Sequence, residues 1–191
     1  MKKTINWALL STAKINQAVI PPIKKFGHSH LYAVASRTGQ RAAEYAKEHG
    51  IEKYYASYQA LLDDPDVDAV YISIPNGLHY EWILKALTKG KHVLCEKSIT
   101  TKLSEIEHVK QVAEEKNLLV MEAFMYRFHP QWVEAKRLVD EGGIGDLVTI
   151  QSFFSYFNDD PDNIRNKADM GGGGLMDIGC YPVSLSRFIF N

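Results

Sequence analysis

The chain of 191 residues has 46% apolar and 24% charged side chains, which is enough for one α/β domain and part of a second. Its formal net charge of −1 excludes a bulk electrostatic attraction to nucleic acid or to an anionic membrane, and no apolar run is long enough to cross a bilayer. The two cysteines, Cys95 and Cys180, lack a paired spacing and predict reduced thiols in a cytoplasmic protein.

Strand-like and helical segments alternate through the first half of the sequence. The first helix is predicted from about Lys14 and is expected to be interrupted at Pro21-Pro22, because proline lacks an N–H donor and clashes with the preceding turn. The alternation predicts an α/β fold, a Rossmann-type doubly wound parallel sheet, for a dinucleotide-binding domain over residues 1–123. The predicted strands are Ile5–Leu10, Leu31–Ser36, Tyr54–Tyr55, Ala69–Ile74, His92–Cys95 and Leu118–Ala123.

The composition changes near Phe124, where a second domain is predicted to begin. Residues 130–141 have a helical pattern, and Leu147–Phe157 (LVTIQSFFSYF) is typical of a long, aromatic-rich strand. Residues 124–191 are therefore predicted to start an α+β domain with an antiparallel sheet. One strand, a glycine run and a helix do not close such a sheet. We expect this domain to be incomplete, because the chain is a C-terminally truncated fragment or because a partner subunit completes the sheet.

The turn after the first strand is where a dinucleotide fold binds phosphate, since the amide groups at a helix start are unpaired. The usual fingerprint there is G-x-G-x-x-G, but this turn contains no glycine. Its small side chains still permit a close approach of the backbone, and its hydroxyl groups can donate to phosphate. An ordinary tight turn is the alternative. The candidate cofactor-binding residues are Ser11, Thr12, Ala13, Lys14 and Ile15.

The end of the second strand indicates which dinucleotide is preferred. A site for NAD places Asp or Glu there to bind the ribose 2′-hydroxyl, whereas this chain has Ser36-Arg37-Thr38. A guanidinium group with neighbouring hydroxyls suits the 2′-phosphate of NADP. The segment favours NADP over NAD, although an arginine that is merely solvated at a strand end remains the alternative.

Three segments together resemble one known family. They are Pro75–His79 (PNGLH), Gly90–Lys97 (GKHVLCEK) and Gly171–Pro182 (GGGGLMDIGCYP), and their order and spacing both agree with it. The chain resembles the glucose–fructose oxidoreductase, inositol dehydrogenase and rhizopine catabolism (Gfo/Idh/MocA) family of NAD(P)-dependent oxidoreductases from about Asn6 onward. The segment Glu122–Pro130 (EAFMYRFHP) is most similar to the branch of dimeric dihydrodiol dehydrogenases and NADP-dependent xylose dehydrogenases.

The resemblance implies roles for particular side chains. Glu96 and Lys97 lie beside the nicotinamide, with Lys97 contacting its ribose and the substrate hydroxyl, whereas the family usually has proline at position 98 and this chain has Ser98. Lys97 is expected to orient the substrate, Tyr181 to relay the proton and Asp177 to polarise the pair. The residues that line the nicotinamide end are Pro75, Asn76 and His79. Taken without the resemblance, the Glu96-Lys97 pair is a solvated ion pair and His79 a capping residue.

The implied reaction is hydride transfer between NADP and a carbinol of a sugar or of a cyclic or vicinal diol. Arg127, Phe154 and Arg165 are the candidate substrate-binding residues, although Phe154 is also an ordinary sheet residue and Arg165 also suits a solvated loop. The histidines show no ligand spacing, so no metal is predicted. A homo-oligomer formed through the C-terminal sheet is expected. The alternative function is a non-catalytic dinucleotide-binding module, either a sensor or an inactive truncated product.

Overall fold

The computed structural model describes residues 4–190. The chain divides into two compact units, with the boundary between Glu122 and Ala123. The first unit contains one parallel sheet with the spatial order β3-β2-β1-β4-β5-β6, so the predicted doubly wound sheet is confirmed. Its strands are β1 (Ile5–Leu10), β2 (Ser29–Ala35), β3 (Lys53–Tyr55), β4 (Ala69–Ile72), β5 (His92–Cys95) and β6 (Val120–Glu122).

Five helices connect these strands, and their apolar side chains complete the core. The central strand β4, with the sequence AVYI, is buried along its whole length, as expected for a parallel strand with both faces covered. The helices of the first unit are α1 (Asn16–Lys25), α2 (Gly39–His49), α3 (Tyr58–Asp63), α4 (His79–Thr88) and α5 (Leu103–Glu115).

The predicted interruption of the first helix is wrong. Helix α1 continues through Pro21 and Pro22, both of which are exposed. The prolines remove two amide donors, but the ladder resumes after them, because the Phe26 N–H donates to the Pro22 carbonyl at 3.0 Å. Buried Ile20 anchors the helix on the core. Tertiary packing thus offsets a local cost that the sequence pattern alone overstates.

The described residues of the second unit form two α-helices, α6 (Pro130–Asp140) and α7 (Cys180–Phe190), which are joined by turns. The helix predicted over residues 130–141 is therefore confirmed. The strand predicted over Leu147–Phe157 is not formed: in the described part of the chain no segment pairs with it, and it has no regular secondary structure. A strand is defined by hydrogen bonds to a neighbour, which alternating aromatic residues cannot supply by themselves.

Candidate functional site

The carboxyl ends of five neighbouring strands lie in one row at an edge of the sheet. The chain then enters loops from this edge, and the order of the strands reverses between β1 and β4. Ligands of open α/β sheets bind in the crevice at such a switch point. The residues paired along the row are, in order, Ala35, Leu10, Ile72, Cys95 and Glu122.

Side chains shape the turn after β1. Ser11 has a φ of 138°, in a region that favours glycine. Its hydroxyl oxygen lies 2.8 Å from the Ser73 hydroxyl, which in turn donates to Oδ1 of Asn16 at 2.6 Å. The Asn16 amide donates back to the Ser11 carbonyl at 2.8 Å, and all three residues are buried. This network stabilises the turn at a position where the fingerprint has glycine. Neither Asn16 nor Ser73 is among the site residues predicted from the sequence.

The same turn presents unpaired amide groups. The Ala13 N–H donates to the Ser11 hydroxyl at 3.1 Å, so the network occupies that amide. Within residues 4–190, the amides of Thr12, Lys14 and Ile15, which immediately precede α1, donate no hydrogen bond. Such amides at a helix start are suited to an anion such as phosphate. The donor set therefore fits the diphosphate of a dinucleotide.

Two arginines lie near the end of β2. Ser36 is buried there, whereas Arg37 and Thr38 are exposed. Burial raises the pKa of Tyr58, and the positive charges of Arg37 and Arg41 oppose that rise. Arg41, which lies in the first turn of α2, is not among the site residues predicted from the sequence.

His79 begins α4 and is fully buried, with a relative exposure of 0%. Its Nδ1 lies 2.7 Å from the Ser98 carbonyl oxygen and its Nε2 lies 2.8 Å from the Ile74 carbonyl oxygen. Burial lowers the pKa of His79, the two carbonyl contacts oppose this effect, and the charge of Lys97 adds to it. The ring therefore bridges two loops, while the preceding residues Pro75 and Asn76 are half-buried.

The loop after β5 carries Lys97, which is half-buried. The Glu96 carboxylate accepts a hydrogen bond from the Tyr71 hydroxyl, and the Glu96 N–H donates to the carbonyl of Ile72 at 2.9 Å. After a cis peptide between Lys97 and Ser98, the Ile99 N–H donates to Oε1 of Glu122 at 2.9 Å. Glu96 is thus fixed to the sheet rather than solvated, and the loop is held on both sides of Lys97.

In the second unit, Tyr181 lies in the first turn of α7 within an aromatic cluster. Its ring centroid is 5.4 Å from that of Phe124, 6.1 Å from Tyr126 and 6.2 Å from Phe154. Edge-to-face contacts of this kind orient the ring. Phe154 is exposed and contacts Tyr181, so the structure brings together one predicted substrate residue and the predicted proton relay.

Asp177 lies in the turn before α7, and both of its carboxylate oxygens have partners. Arg165 Nε donates to Oδ1 at 3.0 Å, and the Tyr156 hydroxyl donates to Oδ2. A Cβ at Gly172 would lie 2.6 Å from the Arg165 carbonyl oxygen. Glycine is therefore required at position 172 for this segment to pack against the backbone that carries Arg165. The bond to Asp177 raises the pKa of Tyr156. From the sequence, Tyr156 is expected only as a residue of the predicted strand.

Arg127 is exposed and lies against α7. Its NH2 group donates to the Ser184 hydroxyl at 3.2 Å, and its guanidinium carbon is 5.8 Å from the ring centroid of Phe188. The position of the Arg127 side chain is therefore explained by packing and hydrogen bonding within its own unit.

Two further classes of site were searched for in residues 4–190. No three His, Cys, Asp or Glu side chains in that range converge in a way that could hold a metal ion. None of the helices described there combines the length and the apolar character that a bilayer crossing requires.

Comparisons with known proteins connect this geometry to a family. Residues 5–124 match the model GFO_IDH_MocA, described as an oxidoreductase family with an NAD-binding Rossmann fold, and residues 132–191 match the GFO/IDH/MocA C-terminal domain. The chain is 44% identical over 183 residues to D-xylose 1-dehydrogenase (NADP(+)) 2 of Haloferax volcanii, covering 95% of this chain and 56% of that protein.

Two other similarities point the same way. The chain is 32% identical over 187 residues to a trans-1,2-dihydrobenzene-1,2-diol dehydrogenase of Xenopus tropicalis, covering 97% of this chain and 56% of that protein. A solved structure of KijD10, a 3-ketoreductase from Actinomadura kijaniata in complex with NADP and TDP-benzene, matches with a TM-score of 0.87 at 36% identity, over 99% of this chain and 58% of that one. The chain spans about half the length of the curated relatives it matches.

Proposed function

Because the chain belongs to the GFO/IDH/MocA family of oxidoreductases, we propose that the protein is an NADP-dependent enzyme that oxidises or reduces a carbinol of a sugar or of a cyclic or vicinal diol. The observation that carries the proposal is the loop after β5, in which contacts of Glu96 and Ile99 hold Lys97 at the carboxyl edge of the sheet. The relatives support the substrate class, since their names specify xylose and a dihydrodiol.

NADP is the proposed cofactor because the donor groups suit its phosphates. The amides of Thr12, Lys14 and Ile15 suit the diphosphate, while Arg37 with its neighbour Arg41 suits the 2′-phosphate. When bound, NADP supplies or accepts the hydride. The Haloferax relative is named as NADP-dependent and the KijD10 structure contains NADP, which supports NADP over NAD.

Lys97, Tyr181 and Asp177 are proposed to form the reacting centre. Lys97 orients the substrate hydroxyl, and Tyr181 relays its proton. Asp177 polarises Lys97 and Tyr181. The Asp177 carboxylate is already oriented by its hydrogen bonds from Arg165 and Tyr156. Support for Tyr181 comes from the aromatic cluster that fixes its ring. Neither Cys95 nor Cys180 forms a disulfide, which is typical of a cytoplasmic enzyme.

Titration of the protein with NADPH and with NADH, followed by nicotinamide fluorescence, tests the cofactor. NADPH is expected to bind more tightly, and Arg37→Gln is expected to weaken NADPH binding by roughly 10- to 100-fold with little effect on NADH, because a charge-assisted bond to phosphate is lost. Arg137→Gln is the matched control, since Arg137 is ion-paired with Glu134 and Glu141 in the second unit. Equal binding of both dinucleotides would contradict the NADP assignment.

Turnover of aldoses and diols with NADP⁺ tests the reaction. Lys97→Met is expected to lower kcat by roughly 100-fold or more while NADPH binding survives, since the residue positions the reacting groups. Retained turnover in Lys97→Met would overturn the assignment. Tight NADPH binding without turnover of any candidate would instead support the non-catalytic dinucleotide-binding module.

A further inference from the structure

One imidazole ring joins the loops that follow two neighbouring strands. His79 is completely buried, and its two ring nitrogens lie 2.8 Å from the Ile74 carbonyl oxygen and 2.7 Å from the Ser98 carbonyl oxygen. Ile74 follows β4 and Ser98 follows β5. Since both ring nitrogens face backbone carbonyl oxygens, this side chain contributes to the candidate site through the backbone that it contacts.

The carbonyl held by His79 belongs to a peptide unit that is also held from its other side. The Ser98 carbonyl and the Ile99 N–H are parts of the same planar peptide group. His79 contacts that carbonyl at 2.7 Å, and Glu122 accepts from that N–H at 2.9 Å. The Ser98–Ile99 peptide, which begins one residue after Lys97, is therefore held between the start of α4 and the end of β6.

This clamp acts on the loop that carries the reacting lysine. A second clamp precedes Lys97, where the Glu96 N–H donates to the Ile72 carbonyl. With Glu96 held before it and Ser98 held after it, the backbone of Lys97 has little freedom to move. A displacement of about 1 Å at a reacting group lowers a rate by roughly 100-fold, so the contact between His79 and Ser98 has a mechanistic consequence.

We propose that His79 is a positioning residue, which donates its Nδ1–H to the Ser98 carbonyl, holds the Ser98–Ile99 peptide and through it keeps Lys97 in place for hydride transfer. The proposal rests on the role of Lys97 in the proposed function. It assigns to His79 a task that does not involve direct contact with cofactor or substrate.

The chain offers a matched control at the opposite end of β5. Lys91 is buried at 5% exposure, and its Nζ donates to the carbonyls of Asp64 and Val67, both at 2.7 Å. Lys91→Met therefore removes hydrogen bonding from a buried side chain to backbone carbonyls, as His79→Phe does. Lys91 precedes β5, at the edge opposite to the Lys97 loop. Both variants are expected to lower the unfolding midpoint.

The first readout is amide hydrogen exchange of Ile99 in the cofactor-free protein, measured by NMR. His79→Phe is expected to raise the exchange rate of the Ile99 N–H by roughly tenfold or more, because its peptide group loses the contact on the carbonyl side. His79→Gln is expected to restore part of the protection, since an amide can still donate to the Ser98 carbonyl. Lys91→Met is expected to leave the exchange rate of Ile99 unchanged.

The second readout is steady-state turnover of D-xylose with NADP⁺, alongside NADPH affinity. His79→Phe is expected to lower kcat by roughly 10- to 100-fold with NADPH binding nearly unchanged, whereas His79→Gln recovers part of kcat and Lys91→Met keeps it. If His79→Phe does not fold, the comparison of His79→Gln with Lys91→Met decides, and equal effects of these two variants on Ile99 exchange and on kcat would overturn the proposal.

The outcomes separate this inference from the proposed function. If Lys97→Met loses turnover while folded His79→Phe keeps both kcat and Ile99 protection, the positioning role of His79 is wrong and the function stands. If Lys97→Met keeps turnover, the assignment of Lys97 to the reacting centre fails, and with it the role of His79 in hydride transfer, whatever the exchange rate of Ile99.

Discussion

At the scale of single residues, Ser11 shows how a turn can form without the glycine of the usual fingerprint. Its φ of 138° costs about 1–3 kcal/mol for a residue with a side chain. The hydroxyl offsets this cost by its contacts with Ser73 and by accepting the Ala13 N–H. The missing glycines therefore do not argue against a phosphate-binding turn in this chain.

The variants Ser11→Ala and Ser11→Gly separate the cost of the backbone strain from the contribution of the hydroxyl group. Both variants lose the buried hydroxyl and leave its partners unsatisfied, which destabilises the protein by about 1–3 kcal/mol. The glycine variant also relieves the backbone strain, so we expect it to be more stable than the alanine variant by about 1 kcal/mol. Urea unfolding measures both, with the exposed Ser155→Ala as the control. An alanine variant as stable as the glycine variant would show that the turn is unstrained.

At the scale of elements, the joint between β3 and α3 is organised by one carboxylate. Asp64 follows the last residue of α3, and its side chain accepts hydrogen bonds from the Asp66 N–H at 2.9 Å, from Lys53 Nζ at 3.4 Å and from the Tyr55 hydroxyl. Burial would raise the pKa of Asp64, but these three bonds lower it below its ordinary value. The ionised form therefore stabilises the fold.

Asp64→Asn is expected to lower the free energy of unfolding at pH 7 by about 1–3 kcal/mol, because hydrogen bonds to a charged acceptor are lost. A carboxyl whose pKa is lowered by folding stabilises the protein above its unfolded pKa of about 3.9. This contribution disappears as the pH falls through the lower folded value.

Urea unfolding from pH 7 down to about pH 3 checks this expectation. The difference between wild type and Asp64→Asn should shrink as the solution is acidified below about pH 4. The exposed Asp159→Asn is the matched control and should show no difference at either pH. A difference for Asp64→Asn that is independent of pH would mean that the carboxylate charge is not involved.

At the scale of the whole molecule, the second unit exposes a large amount of aromatic surface. Phe153 is 90% exposed and Phe157 is 86% exposed, within the segment 147–157 that has no regular structure. Contiguous exposed apolar side chains mark interaction surfaces. The homo-oligomer expected from the sequence stays a prediction, and these two phenyl rings offer a test of it.

Sedimentation over a range of protein concentrations tests this association. The wild-type protein is expected to dimerise or to form a larger oligomer, and the double variant Phe153→Ser/Phe157→Ser to shift toward monomer, because burial of each phenyl ring contributes about 2 kcal/mol. Phe26→Ser is the matched control, since Phe26 is 62% exposed but lies in the first unit. A monomeric wild type, or an equal effect of Phe26→Ser, would contradict the prediction.

The sequence by itself determined the α/β architecture and the family. Strands such as Ile5–Leu10 and His92–Cys95 have the same bounds in the prediction and in the structure. This agreement follows because burial on both faces of a parallel strand leaves a local signature, a short apolar run between turns. The three motif segments were likewise local and sufficient for the resemblance, which the family matches confirm.

Only the tertiary structure decided how the site is held together. The strand register places Ile72 beside Cys95, and this brings Ile74 and Ser98 to opposite sides of His79 although they are distant in sequence. The same is true of the contact between Ser11 and Ser73, and of the helix that continues through Pro21. Such contacts depend on long-range packing, which no local periodicity encodes. A motif thus predicted a role for Lys97, whereas only the folded chain shows what holds the loop around it in place.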